Sequence, residues 1–280
     1  MLSQKRVPDA TFAVGRSVWK LPLLERQLLK LTRTHPYEGF ISKLPPLWTS
    51  YKPGTLRRAV RYGINLELDL SELAGWYTYW GFQNPDLDTV LDLCRPGMTV
   101  VDAGAHMGLF TLSIAKRVGA AGHVHAVEPD PVSYRELLRH LAINPEITWV
   151  TTHNVALADS RQTLHLGSPL PHNRSCRISD TGEAVQAVTL DDLGIRPDFV
   201  KMDIEGYETR ALRGATQTLA SKPTLFVEVQ SELLREAGSS SEELLGVLAA
   251  HGYRLVDNQT GQPPSPEAAH TDVILSLIHI

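Results

Sequence analysis

The sequence predicts an α/β protein, a doubly wound and mostly parallel sheet covered by helices, with a helical and hairpin appendage at the N-terminus. From Met98 onward, short apolar runs alternate with stretches of helical periodicity. A glycine-bearing turn, "VVDAGAHMGLF" (Val100–Phe110), follows the first of these runs directly. Upstream of it the composition shifts to leucine, arginine and aromatics without such alternation. A chain of 280 residues, 42% of them apolar, is enough for one full α/β core with about 80 residues left over. The expected division is therefore an appendage or lid over residues 1–80 and a ligand-binding domain over 81–280.

Within the appendage, "LPLLERQLLKLT" spaces its leucines as an amphipathic helix does, and "AVRYGINLELDLS" alternates on both sides of Tyr62-Gly63 as a hairpin does. The basic run "YKPGTLRRAVRY" carries Lys52, Arg57, Arg58 and Arg61. It reads as a solvated face, or as a dock for an acidic carrier protein, a phosphorylated sugar or a lipid headgroup. The aromatic cluster "GWYTYWGF" is either packing between appendage and sheet or a lid over a bound ligand, with Tyr79 as a cofactor contact. The expected strands are "TVVDAG", "HVHAVEP", "ITWVTTHNVAL", "DFVKMDIEG", "PTLFVEVQ", "YRLVDN" and "TDVILS". Helices are expected at "LFTLSIAKRV", "PVSYRELLRHLAI", "YETRALRGATQTLA" and "SSEELLGVLAAH", the last entered through the loop "GSSSEE". Leu275–Ile280 also spells the translation of a transposon mosaic end used as a sequencing adapter, so these residues are expected to be a scar. An ordinary closing strand is the alternative.

A net charge of −4 offers no global basic field for nucleic acid. Cys94 and Cys176 lie far apart at no metal-ligand spacing, which reads as a reduced thiol pair. No signal-peptide core and no apolar run of membrane-spanning length is present, so a cytoplasmic location is expected. Oligomeric state is not readable.

Parallel doubly wound sheets bind ligands at the carboxyl ends of their strands, which singles out Asp102, Gly104, Glu128, Asn154 and Asp203. Dinucleotide-binding turns use three glycines in G-x-G-x-x-G and present bare amides to a pyrophosphate. This turn has only Gly104 and Gly108, and Asp102 at the strand end would repel a pyrophosphate while attracting an amino group or a sulfonium. Glu128, closing the second strand, can accept hydrogen bonds from both hydroxyls of a ribose. A cationic, ribose-bearing cofactor is implied, with S-adenosylmethionine leading. Short side chains at Asn154 and Ala156 suit an adenine pocket.

In this order, "VVDAGAHMGLFTL", "VHAVEPDP", "NVALAD", "VTLDDL" and "DFVKMDIEGYE…LRGA" resemble the FkbM-type S-adenosylmethionine-dependent methyltransferases over roughly residues 60–258, the Lys-x-Asp-x-Glu-Gly element being the most specific part. The resemblance implies a class I methyltransferase (Rossmann-like) fold. It also implies methylation of a hydroxyl on a small-molecule, glycan or carrier-linked natural-product acceptor. His106 stands where relatives usually carry Asn, and enters the candidate cofactor contacts for that reason.

Methyl transfer to a hydroxyl requires alignment, exclusion of water and removal of a proton. Lys201, Asp203 and Glu205 share parity on the fourth main strand, and Asp203 is best placed to position the methionine amine or the acceptor hydroxyl. The alternative is an ion-pair network among the three that starts the next helix. A magnesium shell of Asp203, Glu205 and Glu228 is permitted by spacing but not favoured. His172, in the loop "SPLPHNRSC", is a further candidate base, whereas His153 reads as a strand residue. Three other functions compete. An RNA methyltransferase would want a basic face, a nicotinamide-dependent oxidoreductase a third glycine, and a non-catalytic nucleoside-binding module would lack acid–base groups.

Overall fold

A computed structural model describes residues 20, 22–34, 44–82, 84–167, 176–257, 260–264 and 270–276. These fall into two compact units, one up to Pro85 and one from Asp86 onward.

The first unit holds α1 (Pro22–Thr34), β1 (Leu56–Arg61), β2 (Ile64–Asp69) and α2 (Leu73–Trp80). β1 and β2 pair antiparallel with Arg61 opposite Ile64, so the connection is the two residues Tyr62 and Gly63. Both have positive φ (49° and 74°), as a primed hairpin turn that follows the strand twist requires. Ile64, Leu66 and Leu68 bury one face of β2. Against it sits the aromatic helix, with Trp76, Tyr79 and Trp80 buried. At Gly75 a Cβ would stand 2.3 Å from the Asp69 carbonyl oxygen, so α2 can approach the end of β2 only with glycine there.

Three of the four basic side chains in the hairpin run are engaged inside this unit. Arg57 pairs with Glu25 at 2.8 Å and Arg58 with Glu67 at 3.3 Å. Arg61 donates to the Thr78 carbonyl at 2.9 Å and to that of Tyr79, serving the last carbonyls of α2. Arg57 and Arg61 thus serve as scaffolding, while Arg58 stays largely exposed.

The second unit, entered through α3 (Pro85–Leu93), is built on β3 (Thr99–Ala103), β4 (His123–Val127), β5 (Val150–His153), β10 (Phe199–Met202), β11 (Thr224–Gln230), β12 (Arg254–Asp257) and β13 (His270–Ser276). They form one sheet in the order β12-β13-β11-β10-β3-β4-β5, in which only β13 runs against its neighbours. This is the class I methyltransferase arrangement expected from the sequence. Val100, Val101, Val124, Ala126, Val200, Met202, Leu225 and Val227 are fully buried, as strands covered on both faces must be. The connecting helices are α4 (Leu109–Val118), α5 (Pro131–Ala142), α6 (Glu208–Arg213), α7 (Thr216–Ala220), α8 (Ser231–Glu236) and α9 (Ser241–Ala250). The loop before α9 ends in a side-chain cap, Ser240 Oγ accepting from the Glu243 amide at 3.2 Å. β13 keeps its ladder through Ser276, with Leu275 opposite Leu225 and Leu255; residues 277–280 lie outside the described residues.

One element was not expected. "ITWVTTHNVAL" is two strands and not one, because the chain leaves β5 at Asn154 and enters a second, four-stranded sheet. That sheet comprises β6 (Ala156–Leu157), β7 (Gln162–Gly167), β8 (Arg177–Ser179) and β9 (Glu183–Val188), in the order β6-β9-β7-β8. Ala156, Leu166, Val185, Ala187 and Tyr207 form its own apolar cluster.

Candidate active site

The carboxyl ends of β3, β4, β10 and β11 lie side by side, and parallel register decides which side chains meet. Lys201 stands opposite Asp102, and Asp203 and Glu228 follow the paired residues Met202 and Val227 at the next position along. Lys201 Nζ lies 3.4 Å from Asp102 Oδ1 and 3.8 Å from Asp203 Oδ2, and donates to the Gly104 carbonyl at 3.0 Å. Burial works against this ammonium, but the charges of Asp102, Asp203 and Glu228 outweigh it and hold its pKa above the ordinary lysine value.

Asp102 is fully buried, with Oδ2 accepting from the Thr111 hydroxyl at 2.6 Å. Its carboxylate answers Lys201 beneath the loop. The physical reason is that a buried ammonium requires a close counter-charge, and the register supplies this one.

The loop after β3 is shaped by contact with β10. Gly104 has φ of 79°, and a Cβ on it would lie 1.8 Å from the Asp203 carbonyl oxygen. His106 is also left-handed, at φ 49°, a conformation that Asn and His tolerate better than most residues. Its amide donates to Glu128 Oε2 at 2.6 Å, so this position contributes through its backbone. Gly108, at φ 90°, precedes α4 where a Cβ would strike Leu137 at 2.5 Å.

Glu128 is buried, and its other oxygen accepts from the Asp130 amide at 2.8 Å. Burial pushes its carboxyl up to about 7. Asn154 Nδ2 donates to the carbonyls of Glu128 and Pro129, at 2.8 and 3.2 Å, fixing the crossing from β5 beside the end of β4. Ala156 sits in the apolar cluster of the second sheet.

Of the three residues of equal parity, Lys201 and Asp203 come together and Glu205 does not. The strand ends at Met202, and Glu205 takes φ of 56°, so its carboxylate lies 3.8 Å from Arg177 Nε at the start of β8. Arg177 also bonds Glu236 at 2.9 Å, on the rim of a polar groove of about 430 Å³ lined by Thr163, His165, Ser179, Asp180 and Tyr207 among others. Glu208 Oε1 accepts from the Ile204 and Gly206 amides at 2.9 and 3.2 Å and holds the turn.

Glu228 is the residue that sequence reasoning undervalued. It is buried, it hydrogen-bonds Asp203, and burial together with the Asp203 charge raises its pKa well above the carboxylate range. The signal was present: a carboxylate inside the apolar run "LFVEVQ". Tyr79 lies in the first unit, where its buried hydroxyl donates to Glu25. His172 lies outside the described residues. Both cysteines are free, and burial pushes their thiols up to about 12, which keeps them protonated. Among the described residues no group of three or more His, Cys, Asp or Glu is disposed to hold a metal ion, and no helix is long and apolar enough to cross a membrane.

Residues 102–255 match the methyltransferase FkbM domain. The methyltransferase sdnD of Sordaria araneosa is 40% identical over 157 residues, covering 42% of this chain and 60% of that protein. The chain thus spans about three-fifths of the length of this relative. Among solved structures, methyltransferase FkbM from Methylobacillus flagellatus KT is 17% identical at a TM-score of 0.44, over 72% of this chain and 65% of that one. M. jannaschii TYW2 in complex with AdoMet is 16% identical at a TM-score of 0.42, over 80% and 86%.

Proposed function

The chain belongs to the FkbM methyltransferase family, and from that premise we propose that it transfers a methyl group from S-adenosylmethionine to a hydroxyl of a small-molecule, glycan or carrier-linked acceptor. The observation that carries the reading is the set of carboxylates at the strand ends, buried Glu128 on one side and, on the other, partly exposed Asp203 bonded to buried Glu228 beside Lys201.

The donor set fits such a cofactor. Each Glu128 oxygen accepts one backbone amide and keeps a further acceptor site, enough for a ribose hydroxyl on each. Asp102 and Asp203 bring two carboxylates to the Lys201 ammonium, a concentration of negative charge that favours a cation and opposes a pyrophosphate. The oxidoreductase reading is weakened on the same ground. When bound, S-adenosylmethionine supplies an electrophilic methyl group on a sulfonium.

The chain's own residues then have two tasks. Glu128 and Asn154 would hold and orient the nucleoside at the ends of β4 and β5. Asp203, kept in place by Lys201, would accept the hydroxyl proton of the acceptor, and Glu228, bonded to Asp203, would fix the orientation of that carboxylate. Lys201 thereby positions the base without touching the acceptor.

The test is to incubate the full chain with S-adenosylmethionine and a panel of hydroxylated glycans and polyketides. Formation of S-adenosylhomocysteine and a mass gain of one methylene on an acceptor are expected. Binding of NAD in preference to S-adenosylhomocysteine, or methylation confined to RNA, would overturn the proposal.

A further inference from the structure

Away from the strand-end site, three imidazoles share one face of the β4–β5 pair. His123 and His125 are two apart on β4, and His153 lies on β5 diagonally across from His125, whose direct partner is Thr151. On the opposite face Val124 and Ala126 are fully buried, and Tyr134 of α5 bonds Thr152 at 2.8 Å. β5 is the outermost strand on this side of the sheet, and all three histidines are partly exposed.

His125 Nδ1 and His153 Nε2 face each other at 3.2 Å, with their rings stacked at a centroid separation of 5.5 Å. Two imidazole nitrogens on a tetrahedral ion at bonds of about 2.05 Å stand about 3.3 Å apart. The ring of His123 lies 4.8 Å from that of His125, while its Nε2 bonds Thr151 Oγ1 at 2.8 Å. We infer that His125 and His153 form a chelating site for a late first-row divalent ion, zinc, nickel or copper, with His123 as the adjoining imidazole.

The chemistry is consistent at each step. Imidazole selects these ions over magnesium and calcium, which want oxygen. Burial and the two neighbouring imidazoles hold His125 down to about 4, and burial lowers His153 as well, so both are neutral and carry lone pairs at neutral pH. Binding requires no net loss of a proton. The proton on the bridging nitrogen moves to the outer nitrogen of the same ring, and the ion takes its place between the rings. Such an ion would tie the edge strand to β4 at the point where the Glu128 amide bonds the His153 carbonyl at 3.0 Å. It would therefore brace the strand ends that carry Glu128 and Asn154. This site is independent of the methyl-transfer reading, and its test does not require turnover.

The tag-free full chain is titrated with Zn²⁺, Ni²⁺ and Mg²⁺ by calorimetry, and one equivalent of Cu²⁺ is followed by electron paramagnetic resonance. One Zn²⁺ or Ni²⁺ per chain, no heat with Mg²⁺, and nitrogen couplings on the copper signal are expected. His125→Gln and His153→Gln should each weaken binding by about tenfold or more, while His165→Gln, on the second sheet, should leave it unchanged. If His125→Gln fails to give a folded circular dichroism spectrum, His153→Asn at the edge strand decides. Absence of saturable binding, or binding that His153→Gln and His153→Asn do not weaken, would overturn the inference.

Discussion

Replacing Lys201 with methionine removes the ammonium that lies between Asp102 and Asp203 while nearly keeping its volume. The side chain is 3% exposed and that of Asp102 not at all, so water cannot take over the lost role. At an effective dielectric of about 20, attractions across 3.4 and 3.8 Å amount to about 5 and about 4 kcal/mol before desolvation. Desolvation of the ammonium cancels part of this, leaving a net loss of about 3–5 kcal/mol, the usual cost of stranding a buried charge. Urea unfolding followed by circular dichroism measures the loss. A paired variant, Lys201→Met with Asp102→Leu, removes both charges and should recover most of it, since an apolar pair of similar volume is often neutral. A single variant within about 1 kcal/mol of the parent, or a paired variant no better than the single one, would refute the reasoning.

Further expectations follow from the same geometry. Glu128→Ala should weaken S-adenosylhomocysteine binding by about 1–3 kcal/mol in calorimetry. Because the folded state holds the Glu128 proton up to about pH 7 against an ordinary value near 4.5, its contribution is complete at pH 4 and is lost as pH rises through 7. That slope in unfolding free energy, about 3 kcal/mol in all, should flatten in Glu128→Gln. Asp203→Asn should lower turnover about 10²–10⁴-fold while S-adenosylhomocysteine still binds, and turnover of the parent should survive a chelator.

Much of the fold was legible because its parallel strands are buried on both faces and so read as apolar runs, as "TVVDAG" and "PTLFVEVQ" do. The hairpin was legible from alternation around Tyr62-Gly63. The second sheet was harder to see. Leu164/Leu166 and Val185/Ala187 do alternate, but in short polar strands interrupted at Gly167 and Gly182, which look like loop. At the site, strand-end position was readable and side-chain direction was not. Asp102 meets a residue 99 positions away through sheet order, which no local pattern encodes. Glu205 lost its predicted parity to a left-handed φ placed after the strand had already ended. His106 was noticed as a side chain, and its left-handed backbone was not foreseen.

The contact of Gly104 with the backbone of Asp203 has a consequence for where substitutions act. With no room for even one methyl group between them, the β3 turn and the end of β10 are fitted backbone to backbone, so that a side chain at position 104 would force the two strand ends apart. A substitution at Gly104 would therefore disturb the strand end that carries Asp203 as well as its own loop. Substitutions in the small second sheet, whose edge strand β8 carries Arg177 to within 3.8 Å of Glu205, leave this contact untouched.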